Sequence, residues 1–187
     1  MKEAHPYYDL IVIGGGCAGL SLARLLIENE STMRVLILEH RDTYSDDRIW
    51  CFWEKSDHSL KNLEAKAWAT WQFSCADDDI YSHKSDSNLA YRCIRSGSFY
   101  KHVQNRIDKS THLSLMMSVR VNDIQENAKS VSLTTDRGEF CSRWVIDTRP
   151  LQDHVAERLF GQHFLGIEIE CDQEVFDDRV AQIMTNM

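Results

Sequence analysis

The chain has 187 residues, 43% hydrophobic, 27% charged and 10% aromatic, a globular balance that excludes a disordered tail or a Gly/Pro-rich linker and suffices for one domain or slightly more. Twenty-one Lys and Arg stand against 29 Asp and Glu, a net charge of −8; no basic stripe is available for a phosphate backbone, so nucleic acid is excluded as a partner. The six cysteines form no CxxC pair and the eight histidines no i, i+4 pair, so no metal site is expected, and the thiols are expected to be free in a reducing compartment.

Tyr8-Asp9-Leu10-Ile11-Val12-Ile13 is a β-branched run that stops at glycine, as a strand buried on both faces of a parallel sheet does. From Ala18 the spacing turns helical. Ala18, Leu22, Leu25 and Leu26 predict one apolar stripe on a helix ending near Asn29. Arg34 to Leu38 reads as a second buried strand closed by Glu39, completing a βαβ unit. The uncharged run from Leu10 to Ala23 is too short for a membrane span, holds four glycines and follows acidic Glu3 and Asp9, which is the wrong flank for a signal peptide.

Residues 40–97 carry Trp50, Trp53, Trp68 and Trp71 among many polar residues. They read as a β-rich insertion or cofactor-facing loop in which only Trp68 to Phe73 alternates as a strand. Ser98 to Asp108 returns to helical spacing through Phe99, Val103 and Ile107, with Ser98 as the N-cap. Leu113 to Val121, Ser130 to Thr134, Glu139 to Asp147 and Phe164 to Cys171 read as strands, with Thr135-Asp136-Arg137-Gly138 as a hairpin turn; Val175 to Met184 is ambiguous. The fold class is therefore α/β, a Rossmann-like FAD/NAD(P)-binding βαβ fold with an inserted β-rich region. Residues 1–150 form the nucleotide-binding domain, interrupted at about 40–97, and 151–187 begin a substrate domain.

Gly14-Gly15-Gly16-Cys17-Ala18-Gly19 satisfies GxGxxG. The pattern follows a strand, opens a helix and is answered by Glu39 at the end of the next strand, which is the context that gives it meaning. Gly14 permits the tight turn, Gly16 leaves bare backbone for a pyrophosphate, and Gly19 lets helix and strand approach closely. The helix start, from Cys17 and Ala18, offers unpaired N–H groups to the phosphates. Glu39 is expected to accept hydrogen bonds from ribose hydroxyls and to repel a 2′-phosphate. The unit opens the chain, and the strand ending Val145-Ile146-Asp147 returns to the site after the insertion, an arrangement that favours FAD over NAD.

These residues resemble the lycopene cyclases of carotenoid-making bacteria, a family within the FAD-dependent oxidoreductases. Beyond the glycine loop, Arg48-Ile49-Trp50-Cys51-Phe52-Trp53-Glu54 is similar to the family's Thr-Trp-Ser/Cys-Phe-Trp segment, with Ile49 where Thr is usual. Tyr91-Arg92-Cys93-Ile94 resembles its Tyr-x-x-Ile block, Asp147-Thr148-Arg149 its Asp-x-Arg, Gln162-His163-Phe164-Leu165-Gly166 its Gln-x-Phe-x-Gly, and Phe176-Asp177 its Phe-Asp segment. The resemblance implies FAD in its reduced form, NAD(P)H as reductant, and lycopene or a related carotenoid as substrate. It also implies a cytoplasmic enzyme in peripheral contact with the membrane. The reaction implied is a cyclisation without net redox change, in which an acid protonates a terminal double bond and ring closure and proton loss give a β-ionone ring.

The family continues through an acidic Glu-Glu/Glu-Asp motif usually assigned the catalytic acid, and through a later Gly-Asp segment. This chain shows neither, so the resemblance implies the N-terminal half of a cyclase, truncated and inactive by itself. Glu54, beside Trp50, Phe52 and Trp53, is the only carboxylate in an aromatic setting and hence the candidate acid; its plain alternative is a surface carboxylate. Arg48 is a candidate contact to the flavin or its phosphates, or an exposed loop arginine. Asp147 and Arg149 either assist the cofactor site or end a strand. The competing functions are a stand-alone FAD/NAD-binding module without catalysis and another FAD-dependent enzyme of the monooxygenase type.

Overall fold

The computed structural model describes residues 7–74, 80–150, 171–173, 175 and 177–184. In chain order the elements open with β1 (Tyr7–Ile13), α1 (Cys17–Glu28), β2 (Val35–Leu38) and β3 (Ile49–Lys55). Next come β4 (Glu64–Trp68), β5 (Thr70–Ser74), β6 (Ile80–Lys84), β7 (Leu89–Arg95) and α2 (Ser96–Ile107). The chain then continues through β8 (Leu113–Met116), β9 (Val121–Glu126), β10 (Val131–Thr135), β11 (Gly138–Asp147) and β12 (Val180–Met184). Two compact units result, one from residues 1–46 and 99–157, the other from 47–98 and 158–187. The expected strand Phe164 to Cys171 lies outside the described residues but for its last position.

The first unit holds a six-stranded sheet in the order β8-β2-β1-β11-β10-β9. β8, β2, β1 and β11 are parallel, with Leu10 opposite both Val35 and Trp144 and Ile13 opposite both Leu38 and Asp147. Every residue of Leu10–Ile13 and of Val35–Leu38 is buried, as their unbroken apolar runs predict for strands covered on both faces. β9, β10 and β11 form an antiparallel meander. Its tight turn is the one expected: Gly138 takes φ +113 and the Thr135 hydroxyl donates to Gly138 O at 2.7 Å.

Three readings of this unit and of the helix that leads back into it are corrected. The single strand Leu113 to Val121 is two, β8 and β9, because Ser118 adopts φ +58 and the segment folds over to donate from Ser118 N–H to Arg41 O and from Val119 N–H to Glu39 O. The stripe Ala18, Leu22, Leu25, Leu26 is not the buried face of α1. Gly19, Leu20, Ala23 and Arg24 are buried while Leu25 is 46% exposed, because Gly19, and not the leucine count, decides which side meets β1. Finally, α2 begins at Ser96, two residues ahead of the expected cap. The Ser96 hydroxyl accepts the Arg48 N–H at 3.0 Å and donates to Asp47 at 3.2 Å, and Phe99, Val103 and Ile107 are buried as expected.

In the second unit, residues read as a largely loop-like insertion form five strands. β3-β7-β4 is an antiparallel sheet, and β12-β5-β6 is a second, mixed sheet. The expected strand Trp68 to Phe73 breaks at Ala69: Trp68 ends β4 and pairs with Tyr91 of β7, whereas Trp71 pairs with His83 of β6 and Ala181 of β12. Aromatic side chains tie these strands, with the rings of Trp53 and Tyr91 4.6 Å apart and those of Trp53 and Trp71 edge-on at 6.1 Å. The Arg92 guanidinium, buried, donates to the Glu64 carboxylate and to Glu54 O, and Glu64 also meets His58 at 2.6 Å. The ambiguous Val175 to Met184 contains β12, parallel to β5.

Of the glycines in the turn, Gly19 has the closest neighbours. A Cβ there would collide with the Gly14 carbonyl oxygen and come within 3.2 Å of Val12 Cγ1, and backbone cannot move aside as a flexible side chain would. Gly19→Ala is expected to destabilise the chain by about 1–3 kcal/mol, read as a lower urea midpoint by circular dichroism, while Gly16→Ala, whose Cβ meets nothing within 4 Å, loses only the N-cap preference for glycine and costs less than about 1 kcal/mol.

Candidate functional site

At the carboxyl ends of β1, β2 and β11 the backbone turns sharply through Gly14, whose φ of +100 is a conformation that L side chains rarely adopt. Gly14 N–H donates to Leu38 O at 2.8 Å. The Thr148 hydroxyl donates to Ile13 O and Gly14 O at 2.9 and 3.1 Å, so the return strand β11 does close on the glycine turn. α1 then opens with Gly16 as an extended N-cap that supplies no side-chain hydrogen bond. Leu20 N–H reaches Gly16 O at 3.0 Å, and Cys17 and Ala18 are exposed at the helix start. Here uncapped N–H groups and the positive end of the helix dipole favour an anion.

Glu39 lies at the heart of the turn. Only 2% of it is exposed, and its Oε2 accepts the Gly15 N–H at 2.7 Å. Arg41 donates to the same carboxylate from its backbone N–H at 2.9 Å and from its guanidinium at 3.1 Å on both oxygens; His40 Nδ1 stands 2.9 Å from Oε1. Burial alone would raise this carboxyl's pKa. The hydrogen bonds and charge of Arg41, with the Gly15 N–H, outweigh it and hold the group below the usual carboxylate range. In this arrangement Glu39 serves the protein's own donors, and a ribose hydroxyl reaches it only as Arg41 or His40 gives way.

Three residues of the site have no signal in spacing or composition. Arg41 lies over the rings of Tyr44 and Tyr100 at 4.9 and 5.2 Å, and those rings stack at 4.3 Å. Its Nη2 reaches Gly15 O at 3.3 Å, an oxygen that also accepts the Tyr44 hydroxyl at 2.8 Å. Burial and the Glu39 charge push the Tyr44 phenol above its ordinary range. Asp147 and Arg149, left open by the sequence, form an ion pair at 2.7 Å, and Arg149 Nη1 approaches Val121 O at 3.4 Å.

Beside the turn lies a cavity of about 380 Å³ whose lining includes Ile13, Leu38, His40, Val119, Val121 and Arg149. It sits where ligands bind in open α/β sheets, outside the carboxyl ends of the strands. A recess of about 440 Å³ beside Ile27 and Leu113 lacks the helix start and the glycine turn. Arg48 and Glu54 belong to the second unit. The Arg48 guanidinium is exposed and stands 3.9 Å from Asp47. Glu54 is exposed and accepts the Lys55 N–H at 2.8 Å, so the apolar setting expected of a protonated acid is not what surrounds it among the described residues. No cluster of three or more metal-ligating side chains occurs among the described residues.

A family model described as lycopene cyclase protein matches residues 9–186. The chain belongs to the lycopene cyclase family. It is 27% identical over 169 residues to the lycopene beta-cyclase of Pantoea ananas, covering 87% of this chain and 41% of that one. Among solved structures, p-nitrophenol 4-monooxygenase PnpA from Pseudomonas putida DLL-E4 matches with a TM-score of 0.62 at 15% identity, over 82% of this chain and 43% of that one. PqsL, a probable FAD-dependent monooxygenase from Pseudomonas aeruginosa, matches at 0.58 and 14%, over 75% and 42%. NikD, an unusual amino acid oxidase, matches at 0.55 and 16%, over 76% and 51%. These likenesses establish the Rossmann-like fold, and the chain spans less than half the length of the curated relative.

The sign of the Glu39 contribution follows from its lowered pKa. Stabilisation is complete above the unfolded-state value, near 4.5, and is lost as pH falls through the folded-state value below it. Glu39→Gln, which leaves the Arg41 charge without its partner, is expected to cost about 1–3 kcal/mol at pH 7. Urea midpoints of the two proteins measured from pH 7 downward should converge below pH 4.5.

Proposed function

We propose that this chain provides the FAD-binding part of a flavin-dependent lycopene cyclase. The observation that carries the reading is the bare backbone at Gly16, where a Cβ would meet nothing within 4 Å, at the uncapped start of α1 and beside the cavity lined by Leu38 and Val119. A pyrophosphate laid there meets the first N–H groups of the helix. The cavity takes the adenine, whose apolar faces suit Ile13, Leu38, Val119 and Val121. The ribose hydroxyls then take over Glu39 oxygens now bonded to Arg41 and His40, and a buried carboxylate at this point disfavours a 2′-phosphate.

Reduced flavin, once bound, supplies charge that stabilises a carbocation, and NAD(P)H is the proposed reductant. The substrate proposed is lycopene or a related carotenoid, cyclised without net redox change. No helix among the described residues is long and apolar enough to cross a membrane; peripheral contact is proposed because the substrate is a membrane solute. The acid this chemistry needs must be desolvated to stay protonated near neutral pH, and exposed Glu54 does not meet that need. That one observation favours a second reading, a nucleotide-binding module without catalysis of its own.

Titration of the purified chain with FAD, followed by flavin fluorescence, tests the reading. Saturable binding is expected, weakened at least about tenfold in Gly16→Val, whose melting temperature falls by no more than about 4 °C from the lost N-cap preference. A folded chain that binds no FAD would sink the proposal. Expression in a lycopene-accumulating bacterium together with the portion of the Pantoea ananas lycopene beta-cyclase that this chain does not match separates the two readings: cyclised pigment supports the cyclase part, and FAD binding without it supports the module.

A further inference from the structure

The antiparallel pairing of β3 with β7 sets Cys51 directly opposite Cys93. The phase of the ladder is fixed one step beyond its end, where Ser96 N–H donates to Arg48 O at 2.9 Å, making Arg48 and Ser96 a hydrogen-bonded pair. Such pairs alternate with non-hydrogen-bonded ones. Stepping inward, Ile49–Arg95 is non-hydrogen-bonded, Trp50–Ile94 hydrogen-bonded and Cys51–Cys93 non-hydrogen-bonded. In this narrower kind of pair the Cα atoms stand about 4.5 Å apart with both side chains on one face. That spacing falls within the roughly 4.4–6.8 Å that disulfides span.

The surroundings agree with the register. The Cys51 side chain adjoins the Cys93 thiol across the ladder. Cys51 is exposed and Cys93 buried, so one is open to a reagent and the other only to its neighbour. Burial and the adjacent Cys51 push the Cys93 thiol up to about 11, which keeps it protonated and unreactive toward solution oxidants. Among the described residues no other two cysteines face each other across a ladder.

We propose that Cys51 and Cys93 are a cross-strand dithiol that a small disulfide oxidant, oxidised glutathione, converts reversibly into an inter-strand disulfide. The Cys51 thiolate attacks one sulfur of glutathione disulfide, forming a mixed disulfide and releasing glutathione thiolate, which takes the proton Cys51 lost. Cys93 then attacks Cys51 Sγ, its proton passing to the second departing glutathione thiolate. Two protein thiols and one glutathione disulfide become one protein disulfide and two glutathione thiols. The bond forms next to Trp53 and Tyr91, the following non-hydrogen-bonded pair on the same face. This assignment is independent of the nucleotide site.

Incubating the native chain with oxidised glutathione, alkylating it and mapping its peptides under non-reducing conditions tests the assignment on the wild-type protein. Expected are a peptide pair linked through Cys51 and Cys93, a loss of two hydrogens, and a fall from six titratable thiols to four, all reversed by dithiothreitol. Cys93→Ser should instead hold glutathione stably on Cys51, and Cys51→Ser should leave Cys93 reduced. A wild-type chain that keeps glutathione on Cys51 with Cys93 free, that links either residue to another cysteine, or that stays unmodified overturns the proposal.

Discussion

The structure of the first unit depends on the polar backbone of Gly14 and Gly15. Gly14 N–H is taken by Leu38 O and its carbonyl by the Thr148 hydroxyl. Gly15 N–H is taken by Glu39, and its carbonyl by Tyr44 and Arg41. Buried backbone groups left without partners cost too much to persist, so the two residues draw the end of β1, the end of β2, the loop after it and the return from β11 to one place. The N–H groups at the opening of α1 have no side-chain cap, and they are the part of the turn that remains available to something else.

Glu39 is a component of that turn before it can be a component of a binding site. A carboxylate this buried is tolerated because a planar guanidinium meets both its oxygens, and the guanidinium in turn lies against the stacked rings of Tyr44 and Tyr100. A nucleotide arriving here exchanges one set of hydrogen bonds for another, and only the difference contributes to its affinity.

The βαβ unit was legible because its signals are local: two unbroken apolar runs, a glycine pattern between them and an acid at the right distance. What was not legible depends on contacts between distant residues. The buried face of α1 is chosen by Gly19 against Gly14, so counting leucines picks the wrong side. β3 hides because its outward positions hold Cys51 and Trp53, which blurs the polar alternation that marks a half-buried strand. The segment after Leu113 reads as one strand because a serine at positive φ leaves no trace in composition. Arg41, Tyr44 and Tyr100 come together from positions that no spacing rule connects, and the exposure of Glu54 follows from a sheet that the sequence did not reveal.

The pairing of β5 with β12 has a consequence for synthesis. The β3-β7-β4 sheet closes within residues 49–95, and the large sheet is complete once Asp147 is available. β5 lacks its parallel partner until Val180 to Met184 have been made, and the Lys66–Asp178 ion pair spans 112 positions. On the ribosome the strand carrying Trp71 thus waits, with one edge open, for more than a hundred residues of translation. Unpaired edges are the places where nascent chains find wrong neighbours, so a chaperone that covers β5 during this interval protects the chain until β12 arrives.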